Sequence, residues 1–353
     1  MIKFWFFLVS ITGITGIDLK TCNDMHDYIN TTKELNLIHD ITCDQFTTFT
    51  VSGYDLTIQT SKSTTLRNIR FEVIDGASLT FGDSIVFRNA IEVTNENNAQ
   101  AFPDVRGGGA FYVGENSKVK IRGHFETYQI GIGSEYNTDG GCIWNNGNFH
   151  VFGSSTMRQC DNKSGESNGG KGGAIFNGVN GIMKFDKGMS MSETSSTNDG
   201  SLGAGFYNLG SVIIKGTSKF SEMHSSVGGG AIYNGEGAVF KFRSDSVVLF
   251  NRCADEGVIN DGVLGLYGIT IFLEDRTEVN GAQIYVGPTG TMKMKRNSIF
   301  FRRYQVDEIY DPIIVVADGG DLNYSKTTKF VTVALPDGVC GGIYFEKDQS
   351  CKS

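Results

Sequence analysis

One short motif recurs along the chain and limits the folds open to it. Glycines, a few apolar residues and an asparagine follow one another in "GGAIFN" at 172–177 and in "GGAIYN" at 229–234. If the last residue of each copy is taken as an anchor, successive anchors are 32, 32, 31, 26, 26 and 26 residues apart. The anchors are Val113, Asn145, Asn177, Asn208, Asn234, Asn260 and Val286. A period of about 20–50 residues is typical of solenoids, propellers and other arrays of one small unit.

Two further apolar columns accompany the anchors. The residue six positions after each anchor is always apolar, and these residues are Val119, Val151, Met183, Ile214, Phe240, Leu266 and Met292. A third column falls on another short segment and consists of Phe125, Met157, Met191, Phe220, Phe250, Phe272 and Phe301. Each unit therefore contains three short strands with turns between them, and no helical period is present.

Three strands in so short a unit indicate one coil of a parallel β-helix, because a propeller blade needs about 40–45 residues and four strands. We predict an all-β, right-handed parallel β-helix solenoid of about 10–12 coils with a cap at each end. Neighbouring coils would stack about 4.8 Å apart. The anchor asparagines would then form a ladder of side-chain amides, and the glycines would form corners that require unusual φ angles.

The chain divides around this repeat. Residues 1–16 combine a basic start with a short apolar run, which predicts a secretory signal peptide and a secreted, extracellular or cell-surface location. Residues 17–45 are predicted as an N-terminal cap with a short helix near 21–30. Residues 46–304 form the β-helix, and 305–353 its last coils and C-terminal cap. No later segment approaches the ~20 apolar residues of a membrane span, so none is expected.

The seven cysteines contain no CxxC pair, which disfavours a zinc ribbon, and a secreted protein is expected to form disulfides. The predicted disulfides are Cys22–Cys43, Cys142–Cys160 and Cys340–Cys351. Strand alternation predicts that Cys142 and Cys160 point outward at one corner, and the other two pairs would hold the caps. Cys253 stands three coils from Cys160, about 14 Å away, so it is predicted to be the odd thiol.

Charge and composition exclude some partners. The formal net charge is −8, from 31 Lys and Arg against 39 Asp and Glu, and nucleic-acid binding is not expected because it needs a basic patch. The basic run at 293–303 is interpreted as the solvated face of two strands. His124, His150 and His224 have different offsets from their anchors, so we expect no metal site and no cofactor. The sequons predict glycosylation at Asn30, Asn162 and Asn323.

A catalytic function is the alternative, because parallel β-helices also include pectin-cleaving enzymes. The stretch "NTDG" at 137–140 resembles the first acidic motif of polygalacturonases. Inverting hydrolysis needs several carboxylates, however, and the chain contains no Asp-Asp pair. Asp139 also falls in a glycine turn, so we assign no catalytic residue. Carboxylates from different coils that converge would favour a polysaccharide lyase or glycoside hydrolase.

The residue before each anchor is aromatic in six of seven units. These residues are Tyr112, Trp144, Phe176, Tyr207, Tyr233, Ile259 and Tyr285. Their neighbours form a mainly β-branched column, namely Phe111, Ile143, Ile175, Phe206, Ile232, Val258 and Ile284. Adjacent strand residues face opposite ways, and we assign the β-branched column to the interior. An outward aromatic stripe follows, which would bind glycans or a surface partner. The alternatives are rings buried under corner loops or an interior stack.

The units "GGAIFN" and "GGAIYN", which alternate with "FNRC" at 250–253, resemble the repeats of the polymorphic outer membrane protein family. That family alternates GGA[ILV] with FxxN in a right-handed β-helix, and the resemblance covers roughly residues 70–304. It implies adhesion at a cell surface, although this chain lacks the asparagine of FxxN. We therefore expect a secreted, non-catalytic protein of adhesion, extracellular matrix or cell-surface structure, with a polysaccharide or protein partner.

Overall fold

A computed structural model describes most of the chain outside its first residues. The described residues are 16–60, 63–88, 107–134, 139–164, 170–196, 200–253, 256–273, 282–296, 298–302, 312–332, 340 and 342–352. The predicted signal peptide, except for its last residue, lies outside them.

The described residues form a parallel β-helix, as the repeat predicts. Strands at equivalent positions in successive coils pair in parallel, which produces a 12-stranded sheet and most of a 22-stranded sheet. The larger sheet bends at a corner into two walls. We name the 12-stranded sheet wall A, and the two parts of the larger sheet wall B and wall C in chain order within a coil.

Three sets of short strands make up the walls. Wall A contains Ile17–Leu19, Glu34–Leu37, Asp55–Thr60, Ser78–Phe81, Lys118–Ile121, Asn148–Val151, Ile182–Phe185, Ser211–Ile214, Val239–Phe242, Val263–Leu266, Thr291–Met294 and Asp321–Tyr324. Wall B contains Ile85–Arg88, Phe125–Ser134, Ser155–Ser164, Met189–Ser192, Ser195–Ser196, Thr217–Ser225, Val247–Cys253, Ile269–Leu273, Ser298–Arg302 and Lys329–Thr332. Wall C contains Phe111–Val113, Ile143–Asn145, Ile175–Asn177, Phe206–Asn208, Ile232–Asn234, Val258–Asn260, Ile284–Val286, Ile314–Val316 and Ile343–Phe345. Ile41–Ser52 and Thr64–Ile74 run through both wall B and wall C. The last strand of the larger sheet, Ser350–Lys352, pairs antiparallel with Ile343–Phe345.

Alternation along each strand builds the core between the walls. In Val239–Phe242, Phe240 and Phe242 are fully buried while Val239 and Lys241 face outward. On wall B, a stack of rings continues through successive coils at centroid distances of 4.4–5.3 Å and consists of Phe220, Phe250, Phe272, Phe300 and Phe330. Because one coil cannot cover its own apolar residues, each coil depends on its neighbours for burial.

The predicted asparagine ladder is present on wall C. In each step the Nδ2 of one asparagine donates to the Oδ1 of the next at 2.7 Å, along Asn145, Asn177, Asn208, Asn234 and Asn260. All five side chains are fully buried. The same amides also bond to turn backbone, as where Asn208 Oδ1 accepts from the Gly210 N–H at 3.2 Å. The ladder therefore satisfies buried polar groups both between coils and within each turn.

The second predicted column is apolar and buried, but its register is wrong in part. Val119 pairs with Phe149 rather than Val151, and the same two-residue error affects Ile214 and Leu266. The turn after the anchor causes it, because strands begin three residues after some anchors and five after others. A difference of two residues preserves the alternation, so counting without gaps still reaches an interior residue.

The third column contains two register errors, one of two residues and one of a single residue. Met157 pairs with Thr127 rather than with Phe125, and Phe272 pairs with Phe300 rather than with Phe301. Thr127 is fully buried and its hydroxyl lies 3.3 Å from the Cys160 sulfur, so a polar residue occupies this row. A column that is chosen by its apolar residues alone does not include such a position.

A short helix, Cys22–Tyr28, lies at the N-terminal end within the stretch where the sequence predicts one. Thr21 and Asp24 form a capping box at its start. Met25 is buried, and the His26 ring lies 4.8 Å from the ring of Phe49. The helix therefore covers apolar residues of the first coils.

The disulfides are Cys22–Cys43, Cys142–Cys160 and Cys340–Cys351, with Cα–Cα distances of 5.2–5.6 Å. These are the pairs that the sequence predicts. The outward orientation predicted for Cys142 and Cys160 is wrong, because both are fully buried. Gln159 has a φ of 52°, and this left-handed corner residue breaks the alternation and turns Cys160 inward. Cys253 is a buried thiol whose sulfur lies 3.7 Å from the Phe220 carbonyl oxygen.

Candidate functional site

The six predicted aromatic residues lie on the outward side of wall C. Successive members occupy equivalent positions, as shown by the pairing of Tyr112 with Trp144 and of Tyr207 with Tyr233. Their β-branched and Phe neighbours on the strands, from Phe111 to Ile284, are buried. The outward row is called the aromatic stripe below, and its members are Tyr112, Trp144, Phe176, Tyr207, Tyr233 and Tyr285.

The rings of the stripe stack on one another. Centroid distances are 4.4 Å for Tyr112–Trp144, 5.7 Å for Trp144–Phe176 and for Phe176–Tyr207, and 4.7 Å for Tyr207–Tyr233, with interplanar angles of 7–18°. Ile259 separates Tyr233 from Tyr285. Because stacked rings cover one another's faces, mainly their edges and polar atoms are available to a partner.

Exposure differs along the stripe. Tyr112, Phe176 and Tyr207 are buried, with exposed fractions of 9%, 9% and 7%, whereas Trp144, Tyr233 and Tyr285 are half-buried. Corner residues lie close to the buried rings, and the Lys171 Nζ stands 5.3 Å from the Tyr207 ring centroid. The accessible part of the stripe is therefore concentrated at Trp144 and in the later coils.

Carboxylates surround the later part of the stripe. Asp261 is hydrogen-bonded to Tyr233, and burial is the main cause that raises the pKa of both groups. Burial likewise raises the pKa of Tyr285, and the nearby Glu346, Asp261 and Glu256 add to the effect. Phenol donors beside carboxylate acceptors make this surface suited to hydrogen bonds with hydroxyl or amide groups.

We predict that Tyr207 ionises far above the ordinary tyrosine range. Burial, with smaller contributions from Tyr233 and Asp139, raises its pKa to about 12. Because the folded pKa exceeds the unfolded value, the stability that this group contributes is present below pH ~10 and is lost as pH rises toward 12. Ultraviolet titration of phenolate absorbance should show one late-titrating group that Tyr207→Phe removes. If Tyr207→Phe instead removes a tyrosine that ionises at the ordinary pH of about 10, the assignment is wrong.

The residues considered for catalysis or metal binding stand apart. Asp139 lies at a corner, where its carboxylate accepts a hydrogen bond from the Lys171 N–H at 3.0 Å. His124 lies 2.9 Å from Ser154 Oγ, and His150 lies 2.7 Å from Asp186 on wall A. In the described part of the chain, no group of three or more His, Cys, Asp or Glu side chains could hold a metal ion.

The predicted glycosylation sites lie in different places. Asn30 is exposed just after the N-terminal helix, and Asn323 is exposed on the last strand of wall A. Asn162 lies in Ser155–Ser164, but its side chain is outside the described residues.

Wall A carries a basic surface that the sequence interpretation missed. Its strands place lysines and arginines at outward positions, and these basic residues are Lys118, Lys120, Arg122, Lys184, Lys215, Lys241, Arg243, Lys293 and Lys295. At the outward positions of these described strands and at the residue directly after each strand, Asp186 is the one carboxylate between Lys118 and Lys295. The alternating "KVKIR" at 118–122 and "KMK" at 293–295 are the signal, because alternation puts all these charges on one side. We call this surface the basic face.

Comparisons with known proteins add no relative. Family models give no match to the chain, and searches of curated proteins and of solved structures find no similar protein. The likeness to polymorphic outer membrane proteins therefore stays a prediction from the repeat motifs. Within the described residues, no helix has the length and apolar character needed to cross a membrane.

Proposed function

We propose that the protein is a secreted, non-catalytic β-helix that acts in adhesion, extracellular matrix or cell-surface structure. Its contact surface would be the later part of the aromatic stripe, where Tyr233 and Tyr285 flank Ile259. The observation that carries the proposal is the pair of half-buried tyrosines, Tyr233 and Tyr285, which stand in one row of wall C close to Asp261. A partner with few charges and many hydroxyl or amide groups, such as a neutral polysaccharide or a protein surface, fits this row.

The mode of contact follows from the stacking. Because Tyr207 already covers one face of Tyr233, a sugar ring cannot lie flat against that face. Binding would use tyrosine edges, phenol hydroxyls and the Asp261 carboxylate. Sites of this kind gain specificity from hydrogen bonds, each worth about 0.5–1.5 kcal/mol.

The test is a pair of phenol deletions that preserve the rings. The protein is first applied to an array of neutral polysaccharides and matrix proteins, and retained partners are titrated by calorimetry. Replacement of both Tyr233 and Tyr285 with Phe should weaken binding about tenfold, because two hydrogen bonds are lost. Tyr207→Phe is the matched control, since Tyr207 is buried, and it should leave binding unchanged.

Trp144 provides a second measurement. Mature protein without residues 1–16 contains no other tryptophan, so its fluorescence reports on the stripe directly. A partner that extends along the stripe from Tyr233 over the three coils to Trp144 should reduce acrylamide quenching of Trp144. Retention of no partner, or equal binding by the double Phe variant, would refute the proposal. Release of new reducing ends or unsaturated products from a retained polysaccharide would favour the lyase or hydrolase alternative.

A further inference from the structure

The basic face of wall A contains an open groove on a different wall from the aromatic stripe. Its volume is about 710 Å³. The cations that line it are Lys215, Lys241, Arg243, Lys295 and Arg296, and among the described residues that line it, Asp245 is the one carboxylate. A strongly cationic groove on a chain of net charge −8 needs a physical reason.

The coil geometry gathers these cations from separate parts of the sequence. The Arg243 N–H donates to the Ile214 carbonyl, which places Arg243 beside Lys215 of the preceding coil. The Lys295 N–H donates to the Leu266 carbonyl, which places Lys295 beside Tyr267 in the same way. Lys215, Arg243, Tyr267 and Lys295 consequently form one column along the axis of the stack. Adjacent members are about 4.8 Å apart, the spacing of paired strands.

Most of these charges lack compensation by the protein. The Lys215 Nζ pairs with Asp186 at 2.7 Å, and the Lys295 Nζ lies 5.2 Å from the ring centroid of Tyr267. In the described part of the chain, no carboxylate is within ion-pair distance of Arg243, Lys295 or Arg296. Like charges held this close repel one another, so the arrangement costs stability unless an anion binds.

We propose that this groove binds a linear polyanionic polysaccharide that carries carboxylate or sulfate groups and runs along the coil axis. Cations from three of four successive coils match an extended chain with repeated charges, whereas a small anion would contact only two or three of them. The site goes beyond the proposed function, which uses wall C and a partner of low charge. One molecule could therefore hold two surface polymers on two walls.

Other polyanions fit the groove less well. Single-stranded nucleic acid binds through aromatic rings on which its bases stack. Tyr267 is the aromatic residue that lines the groove, and the Lys295 ammonium lies over its ring. An anionic membrane would combine basic residues with apolar side chains that insert between lipids. The residues that line the groove are charged or polar, apart from the Tyr267 ring.

The test uses the whole mature protein and five probes. Polygalacturonate supplies carboxylates, dextran sulfate supplies sulfates, and neutral dextran is the uncharged reference. Single-stranded DNA and phosphatidylserine vesicles represent the competing classes of partner. Affinities are measured by calorimetry at low and at physiological salt, where an electrostatic site weakens as salt rises. Binding to either charged polysaccharide and not to dextran is the expected result, and the stronger of the two identifies the anionic group.

Charge reversal locates the site. The variant Arg243→Glu/Lys295→Glu/Arg296→Glu should bind the charged polysaccharide about tenfold or more weakly, since attraction becomes repulsion at three positions. The matched control Lys33→Glu/Lys219→Glu/Lys347→Glu makes the same change of net charge at exposed residues outside the groove. It should lose much less affinity. The Tyr233 and Tyr285 variants should bind the polyanion like wild type, which separates the two sites.

Three results would overturn the proposal. The first is no binding of either charged polysaccharide by wild type at low salt. The second is an equal loss of affinity in the groove variant and in its control, which would indicate a diffuse effect of net charge. The third is tighter binding to the single-stranded DNA or to the vesicles than to both polysaccharides at the same salt. Circular dichroism of both triple variants verifies that each is folded.

Discussion

Replacement of Gly172 with alanine should destabilise the protein by about 3 kcal/mol or more, whereas Gly237→Ala should cost only about 1–2 kcal/mol. Both glycines have a φ of 74°, so both substitutions place alanine in the left-handed region at a cost of about 1–2 kcal/mol. The two positions differ in the space that is available to the new methyl group. A Cβ on Gly172 would lie 2.2 Å from the Ile175 carbonyl oxygen, while a Cβ on Gly237 meets no atom within 4 Å. The additional clash with backbone should cost a further ~1–3 kcal/mol.

Urea unfolding followed by circular dichroism measures both variants. Equal m-values would show that the free energies of unfolding are comparable. Similar losses for the two variants would mean that the corner relaxes around the new methyl group. Gly140 and Gly203 also have positive φ and equivalent contacts, with the Ile143 and Phe206 carbonyl oxygens. We therefore expect a similar loss of stability when Gly140 or Gly203 is replaced with alanine.

The sequence predicts which residues face the core better than it predicts which residues pair. Alternation and the anchor spacing are enough for the β-helix, the asparagine ladder and the buried row from Phe111 to Ile284. Register depends on turn length, and a two-residue change in a turn leaves the hydrophobic pattern intact. The sequence pattern therefore predicts Val151 as the partner of Val119, although the residue that pairs with Val119 is Phe149. Only pairing between coils distinguishes the two.

Corners limit the prediction of side-chain direction. Where the wall B strands turn toward wall C, a non-glycine residue with a φ of 52–55° occupies equivalent positions in successive coils, as Gln129, Gln159, Glu193, Glu222 and Arg252. All five are long polar residues, and none is the glycine, asparagine or aspartate that usually indicates a left-handed backbone. The reversal that they cause explains why Cys160 is buried although alternation predicts an outward side chain.

The two candidate surfaces show a further limit. The outward position of the stripe follows from alternation, but its partial burial depends on corner residues such as Lys171 that other coils contribute. The basic face was missed for a different reason. A net charge summed over the chain conceals a separation of charge between walls, and Lys215, Arg243 and Lys295 become neighbours only when the coils are aligned.

Replacement of Asn208 with valine should destabilise the protein by about 3–5 kcal/mol and should cost more than Asn145→Val. Valine fits the column sterically, because Val113 and Val286 occupy the same row. At Asn208 the change breaks the ladder on both sides: Asn177 Nδ2 loses its 2.7 Å acceptor, and Asn234 Oδ1 loses its 2.7 Å donor. The Gly210 N–H loses its acceptor as well. Each buried polar group left without a partner costs about 1–3 kcal/mol.

Asn145→Val is the matched control at the end of the ladder. There the substitution affects the ladder on one side only, because Asn145 donates to Asn177 and its row neighbour in the preceding coil is Val113. We expect a loss of about 1–3 kcal/mol, measured as the free energy of unfolding in urea under the conditions used for the glycine variants. Equal losses at the two positions would show that bonds within each turn, which both residues make, outweigh those between coils. A loss below about 1 kcal/mol at Asn208 would mean that water or a shifted turn replaces the amide, and the ladder would then not be a main source of stability between coils.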